Sequence, residues 1–578
     1  MFNYLLFDLD NTLYNYELCY KNALEHVIDY IHQKYNLNKH DLYTKFKKIK
    51  KIFQNTIINN ASSHNKCIQF KKLCEHFHLP LEEAICLYNL FIDEFDKNLV
   101  LYEFVEDFLQ FCTSKNIKLY IVTNNLFYEQ VCRLKKLNIL KYFDKIYSSE
   151  EFGLEKPDTK LFYSILQENN INKNEVAMIG DSYKMDIESV NLIDIYAFHF
   201  NHNFEGDLTI GKDYTHFKNY NHLLTFFQNY YKESELFIKL STFCGERYDL
   251  VQAGGGNISF KLNNLMFIKS SGCLLSDIEI NKNYVCIDKD YINNNVKNII
   301  DENKKIREQE AKKYVDESIY FLKNYKPSIE TTMHALTKKY TVHLHPLQFL
   351  KICAFENCQE LLKTQFEDFC FINYFTPGID VALELKKRYN NEDVIFLKNH
   401  GIVLTQNSVD ELYNLLDKVI YLLENITNIN FNTSLNYNEY KITNYISKLM
   451  NNITNTNTVS FLSNDYQIKN LLNSKINFKP YFPDKLVYCG ISIVVLENIY
   501  EKDVEEIKNY ISINCEIPKI FLLNEYVYIN SNSIKKCIEI ESLLKSHLLC
   551  YNENNIVLSD NENIYLNNWD AEKYRKKL

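Results

Sequence analysis

Glycine is scarce in this 578-residue chain: 12 residues, beside 8 Pro and a single Trp, where ordinary globular proteins carry about 7% Gly. The shortage excludes collagen-like repeats and glycine- or proline-rich linkers. It comes with abundant Asn, Lys, Ile and Tyr, the imprint of an AT-rich coding bias, so the 44 Tyr carry no functional weight. The glycines that remain therefore point to backbone positions with positive φ or close approach. Gly254, Gly255 and Gly256 are consecutive, and Gly153, Gly180, Gly272, Gly378 and Gly401 each fall in a segment discussed below.

C-x-x-C pairs and zinc-ribbon spacings are also missing. The 16 Cys, scattered from Cys19 to Cys550, read as reduced, mostly buried thiols of a cytoplasmic protein. No stretch approaches the ~18 consecutive apolar residues of a membrane span. The N-terminal run Tyr4 to Phe7 is short and has no basic lead, so no signal peptide is expected. A net charge of −9 excludes a general pull toward nucleic acid or anionic membrane, and any anionic substrate must be held locally. What is present is a globular composition, 46% hydrophobic and 24% charged, in a chain too long for one core; two to four domains follow.

Three apolar runs in the first 200 residues end in polar side chains: Tyr4 to Phe7 before Asp8, Leu119 to Val122 before Thr123, and Val176 to Gly180 before Asp181. Helical patterns separate them, which predicts an α/β fold with parallel strands of a doubly wound sheet whose carboxyl ends converge, the edge where such sheets bind ligands. From about residue 15 to 100 the pattern is helical throughout and predicts a cap over that edge. Its Lys45 to Lys51 run offers charge that could attract phosphates, but reads first as a solvated helix face. A boundary is expected near residue 230, a second α/β unit to about 425, an Asn-rich, partly mobile connection over 425–457, and a strand and helix region to Leu578. There is no internal repeat of about 20 to 50 residues.

Asp8-Leu-Asp10-Asn-Thr12 places two carboxylates two residues apart where the chain leaves a buried strand. One can attack phosphorus while the other handles the leaving-group proton. Thr123-Asn124, Lys156-Pro157 after Gly153, and Gly180-Asp181-Ser-Tyr-Lys-Met-Asp186 follow in order. A hydroxyl, a cation and a second acidic pair at converging strand ends are what a phosphoryl group and Mg²⁺ require. Over residues 1 to 230 the chain thus resembles the haloacid-dehalogenase-like hydrolases, with a Rossmann-like core and helical cap. The resemblance implies Asp8 as nucleophile, Asp10 as general acid and base, Thr123, Asn124 and Lys156 at the phosphoryl group, and Asp8, Asp10, Asp181 and Asp186 around Mg²⁺. An acid at Asp10 favours a phosphatase over a dehalogenase, because halide departure needs no proton.

Val342-His343-Leu344-His345-Pro346 is strand-like, and period-two alternation puts both imidazoles on one side. Glu330 lies upstream in Pro327-Ser328-Ile329-Glu330-Thr331, and His400 downstream in Asn399-His400-Gly401. Three nitrogens and a carboxylate from separate elements offer the donors of a catalytic metal set. Gly254-Gly-Gly-Asn257-Ile-Ser259 lacks the last glycine of a dinucleotide fingerprint; with Ser270-Ser271-Gly272 it can instead cradle a phosphate. These segments, with Pro377-Gly378, resemble the class II aldolase and adducin family across about 233 to 578, particularly its long, rhamnulose-phosphate-aldolase-like form. The resemblance implies His343, His345 and His400 as ligands of Zn²⁺ or a similar transition metal, Glu330 as acid and base, and Asn257, Ser271, Gly272 and Ser328 at the substrate phosphate. Ile329 departs from shorter members, which carry a second serine there. Trp569 resembles the tail of longer members and reads as a packing anchor.

Together these readings predict a bifunctional enzyme of phosphorylated sugars, an Mg²⁺-dependent phosphatase joined to a Zn²⁺-dependent aldolase for a ketose 1-phosphate. The alternatives for the second half are a sugar-phosphate dehydratase or epimerase, or a non-catalytic adducin-like module, a route that abandons metal ligands. By the same resemblance a homo-oligomer is expected, in the form of a tetramer built through residues after 233.

Overall fold

The computed structural model describes residues 1–56, 61–247, 249–299, 303–428, 437–454, 458–472, 478–497, 501–551, 556–560 and 563. The strands gather into three sheets. The first contains β1 (Tyr4–Phe7), β2 (Lys118–Thr123), β3 (Lys145–Ser148), β4 (Val176–Gly180), β5 (Tyr196–Phe200), β6 (Leu208–Ile210) and β7 (Tyr214–Phe217), in the order β3-β2-β1-β4-β5-β7-β6. All neighbours are parallel except the β6–β7 pair. Alternate residues feed two separate apolar clusters: Leu5 and Phe7 enter one, Leu6 the other. Both faces are therefore covered, as a parallel sheet requires. Between β1 and β2 the described residues are helical: Tyr16–Tyr35, Lys39–Thr56, Lys66–His76 and Glu83–Lys97 form a cap.

The second sheet contains β8 (Asn257–Leu262), β9 (Leu265–Lys269), β10 (Tyr284–Asp288), β11 (Ile319–Phe321), β12 (Tyr340–Leu344), β13 (Cys370–Ile372), β14 (Val394–Leu397) and β15 (Gly401–Gln406). Its order is β11-β10-β9-β8-β12-β15-β14-β13, antiparallel except for β13–β14. Met266 and Ile268 face one cluster, Leu265 and Phe267 the other. The third sheet, β16 (Val459–Leu462), β17 (Val494–Val495), β18 (Ile520–Leu523) and β19 (Tyr526–Ser531), has the order β16-β19-β18-β17.

Position 230 lies inside one 26-residue helix, Tyr220–Gly245, which packs on the helix Val105–Ser114 on one side and on β8 on the other. Its buried residues belong to a single apolar cluster that runs through both sheets. Phe321 on the edge strand β11 meets Phe2 at 5.7 Å and Tyr196 at 4.6 Å between ring centroids. The halves are thus joined by a packed core instead of a loose linker.

The Asn-rich stretch corrects a reading from composition. Part of it, 429–436 and 455–457, lies outside the described residues, as does Trp569, but Tyr437–Thr454 is a helix. Ile446 and Met450 are buried four residues apart, with Ile442, Leu449 and Ile453 beside them, a helical stripe that the asparagines between them mask. Asparagine also does much of glycine's work. Of the nineteen described non-glycine residues with positive φ, twelve are Asn, because its short polar side chain tolerates the left-handed conformation best. No helix among the described residues is long and apolar enough to cross a membrane.

Candidate functional site

Parallel pairing of β2, β1 and β4 brings their carboxyl ends side by side. Asp8 follows β1, Thr123 ends β2 and Asp181 follows β4. Asp8, Asp181 and Asp186 each offer an oxygen within 4.8 Å of the others. Between them lies Lys156, only 3% exposed, whose Nζ donates to Asp8 Oδ1 at 2.7 Å and to Asp186 Oδ1 at 2.6 Å. Thr12 Oγ1 donates toward Asp8 Oδ2 at 3.0 Å, lies 3.2 Å from Asp181 Oδ1, and accepts the Asp181 amide at 3.1 Å. Gly180 makes this closeness possible, since a Cβ there would overlap the Asp186 carboxylate.

Three carboxylates face one ammonium in this set. Burial pushes the Asp8 carboxyl well above the ordinary range against the pull of Lys156, and burial with the neighbouring Asp186 brings Asp181 to about 6. Both shifts come first from burial, and the neighbouring carboxylates add to them. An all-oxygen donor set that still needs positive charge fits a hard divalent cation such as Mg²⁺. Lys156→Met should therefore destabilise the chain by about 3–5 kcal/mol in chelator, because the carboxylates lose the ammonium between them. Urea unfolding would read this; an unchanged midpoint would mean that Lys156 does not balance them.

Asp10 stands apart from that set. Its Oδ1 accepts from Tyr14 and from Arg133 at 3.3 Å, and its Oδ2 from Asn125 at 3.2 Å and Gln130 at 3.0 Å. The carboxylate is thus held by Tyr14, Asn125 and the helix Phe127–Lys136, and its side chain is not among the three whose oxygens converge. Asn124 is likewise occupied: its carboxamide donates to Lys156 O and accepts from Lys156 N, both at 2.8 Å, so it holds the lysine loop in place. Thr123 is buried and its hydroxyl accepts from Gln130 at 2.8 Å. Sequence reasoning missed Tyr14, Asn125, Gln130 and Arg133. Glu129, Gln130 and Arg133 on one helix look like an ordinary solvated charge pattern.

On the second sheet, antiparallel pairing of β12 with β15 sets His343 opposite Val403 and brings His345 and His400 together beyond the strand ends. Asn399 takes a left-handed conformation, φ 56°, to turn His400 inward. His343 Nε2 lies 2.9 Å from His345 Nε2, and Glu330 Oε1 lies 3.6 Å from His343 Nε2 and 3.8 Å from His400 Nε2. Gly401 is required here, because a Cβ would lie 2.6 Å from His345 Cδ2. Burial holds all three imidazoles below their usual pKa, helped at His343 by His345 and at His400, which falls to about 4, by His343. Neutral imidazole is the form that binds metals. Three neutral imidazoles converging beside a carboxylate fit Zn²⁺ or a similar transition metal.

Asn257 Nδ2 donates to Ser328 Oγ at 2.6 Å and to Glu330 Oε2 at 3.1 Å. Ser271 is tied to the same loop by its amide, which donates to Lys326 O at 2.9 Å, and Gly272 follows with φ 86°. Ser271 and Ser328 both line a cavity of about 610 Å³ that also holds Lys305, Lys312 and Lys326. The structure thus gathers Asn257, Ser328 and Glu330 around the histidines and sets Ser271 at the adjoining cavity.

Residues 5–197 match the family described as haloacid dehalogenase-like hydrolase, and residues 239–427 match the class II aldolase and adducin N-terminal domain. One chain carries both families. A ribulose-1,5-bisphosphate 5-phosphatase of Halopiger xanaduensis is 26% identical over 36% of this chain and 89% of its own length. A glyceraldehyde 3-phosphate phosphatase of Methanocaldococcus jannaschii is 27% identical over 32% of this chain and 78% of its own. An L-fuculose phosphate aldolase of Methanococcus maripaludis is 29% identical over 34% of this chain and 93% of its own. The chain is therefore a fusion of a hydrolase-family unit and an aldolase-family unit.

Proposed function

We propose that the chain is a bifunctional enzyme of phosphorylated sugar metabolism, an Mg²⁺-dependent phosphatase over residues 1–230 joined to a Zn²⁺-dependent class II aldolase core over 231–425, with 426–578 as its extension. The observation that carries this reading is the presence of two different donor sets on two sheets: carboxylates with a lysine on one, imidazoles with a carboxylate on the other. Phosphatases and an aldolase among the relatives supply the substrate class, small phosphorylated sugars.

In the first half Asp8 attacks phosphorus, with Thr123 and Lys156 on the phosphoryl oxygens. Asp10, held by Arg133, Gln130, Asn125 and Tyr14, gives its proton to the leaving oxygen and later takes one from water. In the second half Glu330 exchanges the substrate proton, while Asn257, Ser271, Gly272 and Ser328 hold the phosphate. When bound, the divalent ions supply Lewis-acid stabilisation of negative charge at each site. The test is product analysis on a panel of ketose 1-phosphates and phosphate esters. Phosphate release together with aldehyde and triose phosphate supports the reading; dehydrated or epimerised sugar in place of cleavage products would replace the aldolase assignment.

The aldolase unit is expected to assemble. Light scattering at micromolar concentration should give a homo-oligomer, a tetramer by the family resemblance. A fully active monomer would sink that expectation.

A further inference from the structure

Lys66 is buried where local chemistry opposes it. It opens the helix Lys66–His76 behind the N-cap Asn65, although a helix N-terminus disfavours a cation, and it is 4% exposed, although lysine is almost never buried unpaired. Its Nζ donates to His64 O at 2.8 Å, and no carboxylate among the described residues pairs with it. Lys50 belongs to the basic run of the preceding cap helix. Lys47, Lys48 and Lys51 there are exposed as expected, whereas Lys45 and Lys50 are half-buried. Its Nζ lies 4.5 Å from the centre of the Tyr20 ring, and Lys66 Nζ lies 5.7 Å from the same ring.

A relay of side-chain contacts links both lysines to Asp10. Tyr20 stacks on Tyr16 at 5.8 Å, Tyr16 lies 5.5 Å from the Arg133 guanidinium, and Arg133 reaches Asp10 at 3.3 Å. From the other side, His64 Nε2 lies 3.3 Å from Glu155, the neighbour of Lys156. The nearby charges are already engaged: Arg133 is bracketed by Asp10 and Glu129, and Glu129 also accepts from Tyr88 at 3.1 Å. Among the described residues of this cluster, Lys66 and Lys50 are the cations without an ion-pair partner. Burial pulls the Lys66 ammonium down to about 8, partly offset by Glu129, which is the cost an anionic partner would relieve.

We propose that Lys66 and Lys50 form a subsite beneath the cap for a second anionic group, a phosphoryl group or a carboxylate, on the alcohol half of the phosphate ester. This rests on the phosphatase reading of the Asp8 site. The leaving oxygen stands at Asp10, so the remainder of the alcohol points toward the cap, and an anion there pairs with the two ammonium groups.

Matched esters test the idea on the unaltered protein in Mg²⁺. Fructose 1,6-bisphosphate and fructose 1-phosphate differ by a second phosphoryl group; 3-phosphoglycerate and glycerol 3-phosphate differ by a carboxylate. The kcat/KM should favour the doubly anionic member of at least one pair by about tenfold or more, as a charged hydrogen bond is worth, and the pair showing the preference identifies the anion. Lys66→Met should reduce that ratio about tenfold and Lys66→Arg should keep most of it; Lys50→Met is the second arm should Lys66→Met fail to fold. Hydrolysis without preference in either pair overturns the subsite. No turnover of any ester, p-nitrophenyl phosphate included, overturns the phosphatase reading instead.

Discussion

Asp8→Asn is expected to lower phosphate-ester turnover by several orders of magnitude while carbon–carbon chemistry continues near the wild-type rate. An amide cannot serve as the anionic nucleophile, and removal of a covalent nucleophile is among the costliest changes an active site can suffer. The fold should tolerate it. Asp8 sits in a set with more carboxylates than cations, and burial already pushes its carboxyl toward the neutral form, so a neutral side chain of the same shape relieves repulsion with Asp181 and Asp186. The carboxamide oxygen that the substitution introduces can still accept from Lys156, as Asp8 does at 2.7 Å. The second site lies on a different sheet, and His343, His345 and His400 form a metal-type cluster separate from that of Asp8. The measurement is phosphate release and aldehyde release on the same preparation. Substantial phosphatase turnover by the variant would mean that another group attacks phosphorus.

How much of this could be read beforehand follows from where the signal lies. The strands β1, β2 and β4 were legible because each is a short apolar run closed by a polar residue, Asp8, Thr123 or Asp181. The histidine pair was legible because a strand's period of two aligns His343 with His345, and Gly401 stands next to His400 where only glycine clears the imidazole. The cradle of Asp10 was not. Tyr14, Asn125, Gln130 and Arg133 come from a loop, a turn and a helix, and only the tertiary fold brings them to one carboxylate. Turn chemistry was hidden for another reason. In a glycine-poor chain the left-handed positions go to Asn11, between Asp10 and Thr12, and to Asn399, before His400, and nothing distinguishes them from the many other asparagines. The helix Tyr437–Thr454 was lost in the same background.

The two sites should also fail differently when metals are removed. The first presents oxygen donors from Asp8, Asp181 and Asp186, the second imidazoles from His343, His345 and His400; hard, reluctantly dehydrated Mg²⁺ suits the one and a transition metal the other. Dialysis against a strong transition-metal chelator followed by excess Mg²⁺ should restore phosphatase turnover but not carbon–carbon cleavage, which should return only with Zn²⁺, Co²⁺ or Mn²⁺. His343→Ala should reproduce the cleavage defect without the phosphatase defect. His343 is the most buried of the three imidazoles and stands 2.9 Å from His345 and 3.6 Å from Glu330, so its loss removes the imidazole nearest the Glu330 carboxylate and should weaken the hold on an ion bound there. The substitution also empties a buried position, which costs about 1–3 kcal/mol of stability, so metal content has to be measured beside both activities and the unfolding midpoint. Metal loss with a retained fold and retained phosphatase assigns the cluster its role. Cleavage of a ketose 1-phosphate in Mg²⁺ alone, by protein verified free of zinc, would show instead that the histidines do not hold the catalytic metal, and the aldolase assignment would lose its chemistry.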